Sequence, residues 1–197
     1  MSIIVEHEKR RKEILERALD VFVEEGFEDT TFQKIADRCG ITRTTLYIYF
    51  KNKREIFNFS IKQLLSSVEE DLRRVRQDGS LPAADKLKQV LGLIMDRLQE
   101  NRRLLSVVLN YLLYLSKSGT DTDYRVRRRT IRLRHILATI VIEGIRRGEL
   151  KPVNVKTVDD MLYGLIEAAI FRLVVLRRTS IDEIRHSINL AIENLRA

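Results

Sequence analysis

Two short helical segments meet at Gly40, with Ala36 four residues before it, and this spacing constrains the chain more than any other feature. In "DTTFQKIADRCGITRTTLYIYFKNK" the alanine lets two helices approach closely, the glycine allows a turn with φ > 0, and Ile41 offers an apolar plug beneath that turn. The segment after the turn is poor helix material. Thr42, Thr44 and Thr45 lead into Leu46-Tyr47-Ile48-Tyr49-Phe50, a run of bulky, β-branched and aromatic residues better suited to a strand. Yet its surroundings are helical, and only two prolines and eight glycines punctuate 197 residues, which favours long helices over a many-turned β fold.

The apolar periodicity predicts helices over 8–25, where Ile14, Leu15, Ala18, Leu19, Phe22 and Val23 form the stripe and Gly26 the stop. Thr30 with Gln33 predicts a capping box for a short helix ending at Gly40, with Ile35, Ala36 and Cys39 inward. Thr42 is the expected N-cap of a helix over 43–49, and a long helix is expected over 53–76. Further helices are predicted at 83–99, 101–117, 122–147, 155–178 and 181–196, the last with a Ser180–Glu183 capping box. The expected fold is all-α, about nine helices, with a helix-turn-helix domain over 1–52 and a larger helical domain over 53–197.

Helix-turn-helix spacing explains the awkward middle segment. A recognition helix must offer side chains to base edges and phosphates in the major groove. Arg43 can bond guanine O6 and N7, the methyls of Thr44 and Thr45 can meet thymine methyls, and Tyr47 and Tyr49 hold hydroxyls at the reach of phosphates. Leu46 and Phe50, four apart, must then hold the helix by packing.

The stretch "GFEDTTFQKIADRCGITRTTLYIYFKNKREIF" resembles the signature of the TetR family of transcriptional repressors: Gly-aromatic, Thr-Thr, Ile-Ala, Gly-apolar, Leu-Tyr, aromatic-Phe and the following Lys. The resemblance is specific over residues 10–58. Beyond them only chain length and helix count match. It implies a helical ligand domain whose last two helices pair in a dimer. It also implies that Thr31 and Lys53, at the starts of the second and fourth helices, contact backbone phosphates, with the charge of Lys53 adding to the positive end of its helix. Two positions depart from the family pattern: Thr44 stands where Gly or another small residue is common, and Tyr49 where His is common.

Composition excludes several alternatives. One cysteine cannot form an intramolecular disulfide, and the three histidines are isolated from any metal motif. No metal, cofactor or catalytic residue is expected: there is no nucleophile–base pairing and no phosphate-cradling glycine loop. No apolar run approaches the ~20 residues that cross a membrane, so a cytoplasmic protein is expected.

The net charge of +8 lies wholly in residues 101–151, which hold 12 Lys+Arg against 4 Asp+Glu. Arg125, Arg127, Arg128, Arg129, Arg132 and Arg134 form either a solvated, salt-bridged surface or an anionic head-group site. Helical faces suggest a pocket lined by Leu64, Leu91, Met95, Leu98, Val108, Tyr111, Leu112, Arg128, Arg132 and Glu167, residues that could equally be core. A fatty acid or acyl thioester fits the charge. Glu167 argues the other way, because its apolar neighbours suggest a buried carboxylate that would pair with an arginine or meet a cationic ligand.

Dimerisation is expected through Met161, Leu165, Ala168 and Ala169 on one helix and Ile184, Ile188, Ile192 and Leu195 on the next. The expected function is a homodimeric repressor on palindromic double-stranded operator DNA, released by a small apolar or amphiphilic effector. The alternative is a DNA-binding activator or architectural protein with no effector.

Overall fold

A computed structural model describes the backbone of residues 2–117 and 123–197, and the side chains of residues 5–117 and 130–197. The described residues are helical, without a named strand: α1 (Ser2–Asp29), α2 (Phe32–Cys39), α3 (Arg43–Tyr49), α4 (Lys53–Gln77), α5 (Ala83–Glu100), α6 (Arg102–Lys117), α7 (Asp123–Arg146), α8 (Val155–Val174) and α9 (Asp182–Glu193). The chain divides into two compact units, residues 1–67 and 68–197. From sequence the boundary is expected between residues 52 and 53. The structural division falls inside α4, because Ile56, Phe57 and Ser60 at the start of that helix are buried in the first unit.

In the first unit α1 packs against α2 and α2 against α3, and the start of α4 joins α1 through Phe57 and Ser60. Phe57 meets Phe22 edge-on at 4.8 Å and Phe27 at 5.2 Å. The Ser60 hydroxyl donates to the Leu15 carbonyl at 2.9 Å, which satisfies a polar group only 3% exposed. α1 breaks at Gly26 as expected (φ 81°, ψ 171°) and then adds a further turn to Asp29.

The cap of α2 differs from expectation by one residue. Thr31 holds the N-cap position and accepts from Lys34 N–H at 3.2 Å, whereas the Thr30 hydroxyl donates back to the Gly26 carbonyl at 2.6 Å. Gln33 donates to Asp37 instead of closing a capping box.

In the second unit α5 is central and packs against α7, α8 and α9. Its fully buried residues Leu87, Val90, Leu91 and Met95 recur at helical spacing and join Leu137, Val141, Leu162, Ile166, Ile188 and Ile192 in one core. Gly144 sits where α7 crosses α5; a Cβ there would lie 2.5 Å from the Ala83 Cβ, so only glycine fits. Lys151 N–H donates to the Leu195 carbonyl at 2.9 Å, tying the segment before α8 to the chain's last residues.

α8 ends at Val174, short of the expected 178. Arg177 turns into the left-handed region (φ 52°), and Arg178 N–H closes onto the Arg172 carbonyl at 3.0 Å. The Ser180–Glu183 box does not form either. Ser180 bonds Asp182, and Glu183 pairs with Arg172.

Candidate nucleic-acid interface

The turn between α2 and α3 is built as its residue types require. Gly40 adopts φ 66°, ψ 35°, and the N–H groups of Gly40 and Ile41 bond the carbonyls of Asp37 and Ala36, both at 3.1 Å. Ala36 is fully buried and Ile41 half-buried. Thr42 then caps α3: its hydroxyl accepts from Thr45 N–H at 3.1 Å and shares a hydrogen bond with the Thr45 hydroxyl at 2.9 Å.

Leu46 and Phe50 are buried, at 0% and 2% exposure, and anchor α3 to the unit's core. Everything else on α3 is left outside or half outside. Arg43, Thr44 and Tyr47 are exposed, and Thr45 and Tyr49 half-buried. Arg43 donates to the Tyr47 hydroxyl at 3.2 Å and lies 5.7 Å from its ring centroid, so the two side chains form one polar ridge. The Tyr47 ring is held from below by Phe32 at 4.5 Å, and Tyr49 stacks on His7 of α1 at 4.5 Å. Both tyrosine rings are thus supported on the protein side.

Ile48 is the residue that sequence reasoning missed. It is 69% exposed on a seven-residue helix, four residues after Thr44 and on the same face. An apolar side chain there suits contact with thymine methyls. The available signal was its place between two tyrosines, one step outside the Leu46–Phe50 stripe.

Charge near α3 is sorted by pairing. Arg38 forms a two-pronged ion pair with Glu24, which holds the Glu24 carboxyl below its usual range. Lys34 pairs with Glu25 at 2.7 Å. Glu24 and Glu25 near the end of α1 therefore meet α2's own cations. Asn52 caps α4 by accepting from Glu55 N–H at 2.9 Å, and Glu55 in return accepts from Lys51 N–H at 2.6 Å.

Lys53, which the resemblance places on a backbone phosphate, is engaged within the protein. Its ammonium donates to three carbonyls, those of Phe27 (2.9 Å), Glu28 (2.7 Å) and Thr30 (2.8 Å), and lies 4.9 Å from the Phe27 ring centroid. Burial pushes its pKa down, while Asp29 and Glu28 pull it the other way. Thr31 is exposed, its hydroxyl serving as the α2 cap. Cys39 is core, and burial raises its thiol pKa.

The residues expected to form a pocket do not share one environment. Leu64 belongs to the first unit, and the others to the second. Leu91 and Met95 are fully buried core, Tyr111 is buried, and Leu98, Val108 and Leu112 are half-buried. Arg132 pairs with Glu69 at 3.3 Å. Arg134 pairs with both Asp159 (2.7 Å) and Asp160, and its guanidinium stacks over Tyr163 at 5.4 Å. The side chains of Arg125, Arg127, Arg128 and Arg129 lie outside the described residues. Glu167 corrects the sequence reading, because it stands exposed on α8 and not in an apolar interior.

The expected interface residues also divide. Met161 is exposed, and Leu165 and Ala168 are half-buried. Ala169, Ile184, Ile188, Ile192 and Leu195 are instead part of the unit's own core. Another apolar set stands out on these helices: Phe171 at 52%, Val175 at 60% and Leu190 at 66% exposure.

Among the described residues no group of acids, cysteines or histidines is placed to hold a metal, and no helix is long and apolar enough to cross a membrane.

Residues 14–58 match the family model described as bacterial regulatory proteins, tetR family. The fatty acid metabolism regulator protein of Bacillus subtilis is 28% identical over 170 residues, covering 83% of this chain and 84% of that one. The crystal structure of a transcriptional regulator FadR from Bacillus subtilis in complex with stearoyl-CoA superposes with TM-score 0.69 at 25% identity, over 93% of this chain and 98% of the other. A TetR transcription regulator from Haloarcula marismortui superposes with TM-score 0.83 at 22% identity over 96% of this chain and 100% of the other, which shows the fold. The turn at Gly40, the ridge of Arg43 and Tyr47 and the match over residues 14–58 together make the head of this chain a helix-turn-helix DNA-binding domain of the tetR family type.

Proposed function

We propose that the protein is a ligand-responsive repressor that binds a palindromic operator as a homodimer and is released by a long-chain acyl thioester. The observation that carries this reading is the extent of one match. The regulator of fatty acid metabolism resembles this chain over 83% of its length, well beyond the DNA-binding head, so the likeness includes the helices that would meet an effector. A relative of this fold is known with stearoyl-CoA bound. The exposure of Glu167 removes the main reason to expect a cationic effector, since a solvated carboxylate needs no ligand to neutralise it.

The second copy is supported by α8 and α9. Met161, Leu165, Ala168, Phe171 and Val175 follow one face of α8, opposite the buried Leu162, Ile166, Ala169 and Leu173, and Leu190 adds to it from α9. Two such faces related by a two-fold axis form a four-helix interface. Palindromic half-sites follow from that symmetry.

Release requires an effector that prefers a conformer unable to seat both recognition helices. The test is titration of stearoyl-CoA, free coenzyme A and a lipophilic cationic dye against the complex with a duplex selected from a random pool. The expected outcome is release by stearoyl-CoA alone. Retention of the duplex at saturating stearoyl-CoA overturns the acyl reading, and release by the dye alone reverses the sign of the effector.

A further inference from the structure

The chain enters the helix-turn-helix at Phe27–Thr30 and leaves it at Phe50–Lys53, and one side chain joins the two places. Lys53 Nζ bonds the Phe27, Glu28 and Thr30 carbonyls within 2.9 Å, so each of its three N–H donors has an acceptor. The Thr30–Lys53 bond spans 23 residues and encloses all of α2 and α3. Neighbouring bonds fix both sides of this junction. Thr30 is itself held by the Gly26 carbonyl, and Asn52 and Glu55 cap the first turn of α4, on which Lys53 sits.

We infer that Lys53 is a positioning residue: a clasp that closes the ends of the helix-turn-helix on each other and so sets how α2 and α3 are presented to DNA, without itself contacting a phosphate. A phosphate oxygen could be met only by withdrawing the ammonium from one of these carbonyls, and the Phe27 and Thr30 bonds are part-buried, where a lost partner is costliest. Lysine suits the clasp because its compact ammonium points three donors at three converging carbonyls. The planar fork of arginine matches carboxylates and phosphates instead.

This inference rests on the DNA-binding reading of the first unit. The experiment keeps the two apart by including a measurement made without DNA. Wild type, Lys53→Met and Lys53→Arg are compared as full-length protein in thermal unfolding. They are also compared in binding to the pool-selected duplex and a scrambled duplex over a salt series, at temperatures where each variant is fully folded. For a clasp, both variants lower the melting temperature by roughly 3–8 °C. Both also lose affinity for the selected duplex by about tenfold relative to the scrambled one, with the salt slope unchanged.

A phosphate contact gives another pattern: unchanged melting, a salt slope flatter by about 0.9 in Lys53→Met, and affinity retained in Lys53→Arg. A flattened slope overturns the inference whatever the melting result. A preserved selected-to-scrambled ratio overturns it too, since a purely structural lysine leaves the folded fraction binding normally. Failure of Lys53→Met to fold supports the clasp, because a DNA contact contributes nothing to the free protein. Lys53→Arg then carries the binding comparison. If wild type binds neither duplex, the DNA-binding reading fails, and the melting data still report on the clasp.

Discussion

Helices α3 and α8 carry apolar residues on more than one face, yet they use them in opposite ways. On α3 only Leu46 is fully buried, with Phe50 just after it, and the exposed remainder is polar or aromatic apart from Ile48. On α8 the buried stripe of Val158, Leu162, Ile166, Ala169 and Leu173 is mirrored by an outward stripe of Met161, Phe171 and, just past the helix end, Val175. A helix that exposes arginine, threonine and tyrosine is matched to a charged, hydrogen-bonding polymer. One that exposes methionine, phenylalanine and valine is matched to another protein surface. The same fold therefore presents two surfaces of unlike chemistry.

The sharpest way to break this comparison is to mutate the two sides of the α8–α9 layer separately. Ile188 is 3% exposed and packs in the unit's core, so Ile188→Ala should cost about 2–5 kcal/mol in stability. Phe171→Asp, at a 52% exposed site, should leave the folded chain's helical content intact but weaken self-association at least 30-fold, the scale of an interface hot spot. Sedimentation and thermal unfolding measure the two separately. A Phe171→Asp protein that sediments like wild type would mean that a different face meets the second copy.

The outward face of α3 gives the next largest effect. Arg43→Ala should weaken binding to the selected duplex by about 1–3 kcal/mol and relax preference at one base pair. Ile48→Ala should cost less, up to about 1 kcal/mol, with its loss confined to a position bearing a thymine methyl. Neither should move the melting temperature by more than about 1–2 °C, because neither side chain is in the core. Unchanged binding across a panel of substituted duplexes would remove both residues from the interface.

Sequence revealed α3 more fully than α8, for physical reasons. On α3 the departure from helix propensity is itself the signal, since helix propensity and core packing do not explain two threonines and two tyrosines in so short a helix. The turn at Gly40 and the Leu46–Phe50 anchor were legible from spacing alone and stand as expected. On α8 the residues are apolar nearly all round, and periodicity cannot say which side faces the chain's own core. Ala168 and Ala169 are chemically identical neighbours, yet the second is fully buried and the first half-exposed. Capping failed in the same way. Thr30 and Thr31 are both able caps, and only the path of the chain after Gly26 selects Thr31. Lys53 was legible as a cation at a helix start, but its acceptors lie 23 or more residues away in sequence, where no local pattern reaches.

Glu167 gives the smallest expected effect and the finest cut between the two surfaces. Its apolar sequence neighbours suggested a costly buried carboxylate, but α8 turns it to solvent, one turn before Phe171. A solvated carboxylate at the edge of an apolar face is hydrated in the free chain and stays near water when a second copy docks, so neutralising it removes little. Glu167→Gln should change stability by less than about 0.5 kcal/mol and leave the stearoyl-CoA response of the DNA complex unaltered. Its one permitted trace is a modest, salt-sensitive change in the rate of self-association, as befits a rim charge. A tenfold shift in the effector response would mean that the outward face of α8 meets the ligand and not a partner helix, and the contrast with α3 would then have to be redrawn as DNA against small molecule.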